Sequence, residues 1–337
     1  MTGVVGEIYA GLHRYTERSS FSLQPRVLAA RYSDDSTLNN DVQTLAAQFD
    51  RRWERTRWSA SANFARDTTL TSEIGSTGLV QVDRRHEGRS LALGPTFILT
   101  ERLNAGAQLS ASDSHYADAR SAGPRNDSLV DYNYRAASIF SSFAYSEQTQ
   151  LSLTMRAGEL HVPDLPLADK QDAALRLGWT YKTFSAWTFD ASAGPSYAKS
   201  EFSNDTGSVF ELGARRTAER WTVNLSLSRD LTPTGQGVLT RSDQLNIGME
   251  RYFTEHLRGG ISASVIRNQD QLTQSGGAPP GLEYGRVDLT VNWQMTESWS
   301  LAFVAGGAAQ KYGVSPDHGE NFRTSIGIVW NGQQRSL

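Results

Sequence analysis

The sequence predicts an all-β fold: a transmembrane antiparallel up-and-down β-barrel of about 16–18 strands, with short periplasmic turns and long extracellular loops. Three observations carry that prediction: period-two alternation along the chain, a regular exchange of short turns with long loops, and tryptophans gathered at one end. The stretch around Trp293–Phe303 shows all three. Val287, Leu289, Val291, Trp293 and Met295 share one face, while Arg286, Asp288, Thr290, Asn292 and Gln294 share the other. After the polar turn Thr296–Ser298, Trp299, Leu301 and Phe303 alternate with Ser300 and Ala302. A repeat of two puts successive side chains on opposite faces of a strand. Indole rings flanking a polar turn mark the boundary between hydrocarbon and water.

Composition permits this reading. The 337 residues are 38% hydrophobic and 20% charged, and mean hydropathy is −0.46. Barrel strands keep such values low because only alternate side chains meet lipid. No apolar run is long enough for a membrane-spanning helix, which needs about 20 residues. Cysteine is absent, which excludes disulfide scaffolds and cysteine-ligated zinc. A net charge of −3 gives no basic surplus for nucleic acid. Met1–Glu7 has neither the basic nor the apolar region of a signal peptide. Since a barrel must be exported, the expectation is a mature or shortened form.

Taken in order, the alternation begins at Glu7–Arg14 and turns at Thr16–Ser19. It continues through Phe21, Leu23 and Val27 to a polar loop at Asp34–Asp41. Leu45, Ala47, Phe49 and Trp53 descend to a tight turn at Glu54–Arg57, and Trp58, Ala60, Ala62 and Phe64 rise from it. After a long loop at Asp67–Gly88, Leu91, Leu93 and Phe97 descend to Thr100–Arg102, and Leu103, Ala105 and Leu109 rise again. Further turns fall near Ser146–Gln150, Thr183–Ala186, Thr217–Arg220 and Thr254–His256. Longer loops fall near Asp113–Asp131, Val162–Asp172, Glu201–Gly207, Thr232–Arg241, Asn268–Leu282 and Tyr312–Asn321. The barrel domain is expected over residues 1–330, with a polar tail at 331–337.

All eight tryptophans fall at the short-turn end. Trp58, Trp187, Trp221 and Trp299 open ascending strands; Trp53, Trp179, Trp293 and Trp330 lie near the ends of descending ones. A soluble sheet has no reason for that bias, whereas an aromatic girdle does. The short turns recur roughly every 40 residues, a spacing shared with propeller blades. Each interval here holds two segments of about ten residues, the length that crosses a bilayer, rather than four short strands. Seventeen such segments can be counted. Bacterial barrels have even numbers of strands, so one further segment ahead of Met1 would make eighteen, and one miscounted end sixteen. Either size leaves an aqueous channel.

The segment Arg66-Asp-Thr-Thr-Leu-Thr-Ser-Glu73, then Gly78–Val82 and Arg84-Arg85, with the turn Thr100–Leu103, resembles the β-barrel porin 2 family. Members of that family are outer-membrane proteins of exopolysaccharide, capsule and exosortase-associated gene clusters. The resemblance implies bacterial outer-membrane localisation and polysaccharide export or porin-like passage. It implies no catalytic residues. Family members usually begin with a signal peptide and a further strand, so the resemblance implies that both precede Met1 in the full-length protein.

Enzyme chemistry finds little support. The six histidines, His13, His86, His115, His161, His256 and His318, show no His-x-x-x-His spacing for a metal. Ser112-Asp-Ser-His115 holds the ingredients of acyl transfer, but residues adjacent in sequence do not make a spatial triad. The acidic pair Asp34-Asp35 suits either Ca²⁺ or a bridge to lipopolysaccharide, but hard-cation sites need six or more oxygens, so an exposed loop is the expectation. Gly75–Gly78 lacks the lysine of a phosphate-binding loop. No cofactor, metal or catalytic group is expected.

The polar faces are more informative. Arg26, Arg135, Arg156, Arg176, Arg215 and Arg286 are predicted to point into the lumen, with Asp172, Asp190, Glu250 and Asp288. An arginine facing lipid at the midplane would cost about 2–4 kcal/mol. Mixed signs predict a transverse field rather than a strongly selective ring. These charges either contact solute or pair with one another and brace the wall. Of the aromatics, only Tyr9 and Tyr252 are expected inside. The expected partners are outer-membrane lipid and lipopolysaccharide, with polysaccharide and periplasmic export proteins implied by the resemblance. The expected role is a non-enzymatic channel. An adhesin or assembly platform acting through the outer loops is the alternative, and an outer-membrane hydrolase a weaker one.

Overall fold

Next to hydrocarbon an extended segment can satisfy its backbone only by pairing with neighbouring strands. The computed structural model describes residues 2–33, 39–69, 84–119, 129–165, 169–201, 204–269, 282–312 and 318–330. All its long elements are strands: β1 (Gly3–Tyr9), β2 (Leu12–Tyr15), β3 (Ser19–Tyr32), β4 (Asn40–Arg52), β5 (Thr56–Thr68) and β6 (Arg84–Ile98). There follow β7 (Leu103–Ala119), β8 (Tyr132–Ala144), β9 (Thr149–His161), β10 (Lys170–Lys182), β11 (Trp187–Ser200) and β12 (Asn204–Thr217). The last six are β13 (Trp221–Pro233), β14 (Leu239–Tyr252), β15 (Leu257–Gln269), β16 (Leu282–Gln294), β17 (Trp299–Tyr312) and β18 (His318–Trp330). They form one antiparallel up-and-down sheet of eighteen strands, the arrangement of a transmembrane β-barrel.

The first two strands share one register on β3. Tyr9 faces Arg26 and Leu12 faces Leu23, and between them the Ala10 amide donates to the Pro25 carbonyl at 3.0 Å. Proline has no N–H to return that bond, so the ladder is broken at one rung while the strand runs on. β1 and β2 are therefore two halves of one crossing segment, which leaves seventeen crossings among the described residues.

The chain divides into two compact units. The first, Met1–Gly178, Ala193–Val209 and Leu231–Thr240, holds β1 to β9 and the loop-side ends of β10 to β14. Its buried side chains concentrate at that loop-side end, where Tyr116, Tyr132, Leu160, Val162 and Leu239 form a cluster. The second, Trp179–Ser192, Phe210–Asp230 and Arg241–Leu337, holds the turn-side ends of those strands and β15 to β18.

The short turns share a local device. The hydroxyl oxygens of Thr16, Thr100, Ser146, Thr254 and Thr296 each accept the amide N–H three residues on, at 2.9–3.0 Å. That bond closes the turn without help from the core. A glutamate follows each of these residues: Glu17, Glu101, Glu147, Glu255 and Glu297. Asp34-Asp35, residues 70–83 of the family-like stretch and the tail at 331–337 lie outside the described residues.

Candidate functional site

Alternation along each strand, fixed by register where strands pair, assigns the strand residues to one of two faces. Leu91, Leu109, Ile139, Leu177, Leu289 and Ile326 are exposed on the apolar face, which meets lipid in a membrane barrel. All eight tryptophans take this face. Trp53, Trp58, Trp179, Trp293, Trp299 and Trp330 are exposed there, and Trp299 faces Trp330 directly across β17 and β18. Trp187 and Trp221 hold the Arg216 guanidinium over their rings at 5.7 and 4.5 Å, and Arg51 lies 4.7 Å over Trp53. Arginine stems lying on interfacial aromatics keep the charge in water while covering ring surface.

The opposite face is polar and knitted by ion pairs. Arg26 meets Glu7 at 2.8 Å, Arg57 meets Asp50 at 2.6 Å, and Arg258 meets Glu250 at 3.4 Å. In the second unit Asp288 takes both Arg286, at 2.5 Å, and Arg323, at 2.9 Å. In the first, the fully buried Asp172 carboxylate accepts Arg156 Nη2 at 3.0 Å and the Tyr134 hydroxyl at 2.9 Å. Gly158 makes that junction fit: a Cβ there would strike the Tyr134 hydroxyl and the Asp172 carboxylate. Asp67 and His86 pair at 2.9 Å, both buried, and the His86 ring lies 5.1 Å from that of Tyr116.

Arg176, Asp190 and Arg215 also fall on the polar face, by their alternation with Leu177, Phe189 and Leu212, which are exposed on the apolar one. Asp190 packs on Gly213. Arg135 is a correction. It alternates in phase with Ile139 and Phe143, and its cross-strand neighbours are Ala111 and Glu159. It therefore points outward. The reason is its height: three residues from the loop-side end of β8, it stands above the hydrocarbon, where a charge on the outer face costs about 0–1 kcal/mol.

The aromatic inventory of the polar face is also larger than expected. Tyr116, Tyr132, Tyr134 and Tyr284 join it, all buried or half-buried. Tyr116 and Tyr132 serve the loop-side cluster rather than an open aromatic track. Ser112-Asp-Ser-His115 is split by alternation, with His115 held by Asp131 on the outer face and Ser114 buried on the other. No triad forms.

The feature that pattern reading missed is the tip of the β13–β14 hairpin. The long loop expected at Thr232–Arg241 is only Thr234–Val238, between strands ending at Pro233 and starting at Leu239. Its own bonds, Gly237 N–H to the Thr234 carbonyl at 2.9 Å and Thr234 N–H to the Val238 carbonyl at 3.0 Å, make it tight. Gly237 adopts φ +68°, open to glycine at little cost. The tip packs on Val130, whose amide donates to the Gly235 carbonyl at 2.8 Å, and Leu239 joins Tyr116, Tyr132, Leu160 and Val162. β8 and β13 are five places apart in the sheet, about 24 Å along a wall of normal spacing. A 2.8 Å contact between their loop-side ends therefore runs across the mouth rather than along the wall.

The sequence matches no family model, and no curated protein is similar to it. Solved structures share its fold. The apoprotein of the FrpB iron transporter from Neisseria meningitidis (F5-1 variant) superposes with a TM-score of 0.51 at 12% identity, over 93% of this chain and 61% of its own. A mutant of the ferric enterobactin receptor PfeA from Pseudomonas aeruginosa gives 0.50 at 11%, over 98% and 71%. The copper transporter OprC gives 0.50 at 11%, over 98% and 64%. The chain spans about three fifths of the length of the FrpB transporter. The fold is that of a bacterial outer-membrane β-barrel.

Proposed function

We propose that this barrel is a porin-like channel for polar solutes in the outer membrane, serving exopolysaccharide or capsule export, with its outer mouth narrowed by the β13–β14 tip. One observation carries the reading: the wall opposite the lipid-facing side is lined by charged and hydroxyl groups, and its ion pairs are already made. Where charges pair in this way they brace a wet wall and offer no free charge to bind one ion tightly. Such a lining suits neutral, hydroxyl-rich solutes. The polysaccharide assignment draws on the resemblance of the Arg66–Glu73 and Thr100–Leu103 segments to the β-barrel porin 2 family. Barrels that carry iron and copper in other proteins support transport in general.

Planar-bilayer conductance of refolded protein, with swelling of proteoliposomes in neutral oligosaccharides of rising size, tests this. The expected result is a stable conductance, weak ion selectivity and sugar entry up to a size limit. Folded protein with no conductance above the lipid baseline overturns the channel. It would favour a closed platform acting through its outer loops, a reading to which the packed tip also lends itself.

A further inference from the structure

The apolar face of the first unit is not flush. On β8 to β10 it carries Ala137, Ala157 and Ala173 in phase, and these floor a groove of about 730 Å³ walled by Leu91, Leu109 and Tyr197. Ala137 and Ala157 are direct cross-strand partners. The groove ends, toward the extracellular loops, at Arg135 and Glu159, themselves cross-strand partners. It therefore opens sideways to the outer leaflet, with its floor at alkyl-chain depth and its rim at headgroup depth.

The rim distinguishes this site from a mere dent. Neighbouring charges on the same face are already coupled: His115 to Asp131, His161 to Asp169, Arg89 to Glu87. Among the described residues Arg135 has no ion pair, although it is exposed at the head of an apolar groove. A guanidinium so placed presents a planar set of donors that fits a phosphate through two parallel bonds. Glu159 beside it would repel a bare phosphate, yet accepts from a hydroxyl or an amide N–H.

The geometry points to a specific binding site for one phosphorylated glycolipid of the outer leaflet. An acyl chain lies over Ala137, Ala157 and Ala173, a sugar phosphate sits on Arg135, and a sugar hydroxyl or amide donates to Glu159. Lipid A, the phosphorylated amino-sugar lipid that anchors lipopolysaccharide, has this chemistry.

Native mass spectrometry of the full-length folded barrel after detergent exchange reads the site. The probes are lipid A, phosphatidylglycerol and inorganic phosphate. The expected result is one retained lipid A per chain, about tenfold or more weaker retention in Arg135→Gln, and partial recovery in Arg135→Lys. Ala137→Leu/Ala157→Leu, which fills the floor and leaves the guanidinium intact, also loses the lipid. Arg135→Gln alters one exposed side chain and reports even if the filled variant does not fold. Unchanged retention in Arg135→Gln overturns the proposal. So does phosphatidylglycerol held as firmly as lipid A, or displacement of lipid A by phosphate alone. Channel conductance is unaffected by Arg135→Gln, since the side chain faces away from the lumen; a changed conductance would place it at the pore and overturn the assignment.

Discussion

Substituting Gly237 by alanine tests whether the β13–β14 tip narrows the mouth. The residue sits at φ +68°, where a Cβ costs about 1–2 kcal/mol. That Cβ would lie 2.7 Å from Val130 Cγ2 and 3.1 Å from Val162 Cγ2, and overpacking of this kind costs about 1–3 kcal/mol. Against this total of about 2–5 kcal/mol stand the contacts that hold the tip down. The bond from the Val130 amide to Gly235 contributes about 0.5–1.5 kcal/mol, and burial of one aliphatic side chain of the size of Leu239 about 1.5–3. The two sums match, so the substitution should bring a tip that is almost always docked close to an even balance of docked and free. At about 1.4 kcal/mol per tenfold, a shift of about 2–5 kcal/mol raises the free-to-docked ratio at least about 25-fold. Single-channel recordings should show a second, larger conductance level in Gly237→Ala, and proteoliposomes should admit larger sugars. Val130→Ala in the same chain removes the closest clash and should bring back part of the small-conductance state, a coupling that a double-mutant cycle quantifies. If the folded Gly237→Ala barrel has the parent conductance and the parent size limit, the tip does not narrow the path.

Three further outcomes follow from the two faces. Leu289→Arg, midway along β16 on the apolar face, should cost about 2–4 kcal/mol in urea unfolding from lipid vesicles, whereas Thr290→Arg on the next residue should cost far less. Equal penalties would mean that the faces are misassigned. Asp172→Ala strips the buried carboxylate from Arg156 and Tyr134, and the same titration should show a loss of about 3–5 kcal/mol; a loss below about 1 kcal/mol would show that the pair is not buried in solution. Arg323→Gln leaves Asp288 with Arg286 alone, so reversal potentials in a salt gradient should move toward cation preference. An unmoved potential would place that trio away from the ion path.

What could be read in the chain follows the cost of getting it wrong. At Leu289 or Leu109 a polar residue would face hydrocarbon, and the penalty of about 2–4 kcal/mol per charge enforces the alternation; strand faces there are plain from period two. The tryptophans are equally plain, because the interface selects their rings wherever the backbone crosses it. At the loop-side ends the penalty fades to about 0–1 kcal/mol, and there the pattern misleads. Tyr132 and Tyr134 look like the lipid side of β8 and Arg135 like its lumen side, yet Ile139 and Phe143, deeper in the same strand, set the opposite phase. The break between β1 and β2 is a missing donor at Pro25, a matter of the partner strand. The docked tip was out of reach for a further reason. Its partners, Val130, Leu160 and Val162, lie 70 or more positions away in the chain, and a Thr-Gly-Gln-Gly run signals only a turn. Sequence pattern thus reports the membrane, which acts on every residue locally, and is silent on the mouth, where packing between distant strand ends decides the shape. The placements most open to challenge are therefore those within about three residues of a loop-side strand end, and a scan of Arg substitutions along the apolar face of β8 would show it. The cost should peak near Ile139, midway along the strand, and fall toward Asn133 at the loop-side end and toward Phe143 at the turn-side end. A cost that stayed flat along the strand would remove the physical reason given for the outward Arg135.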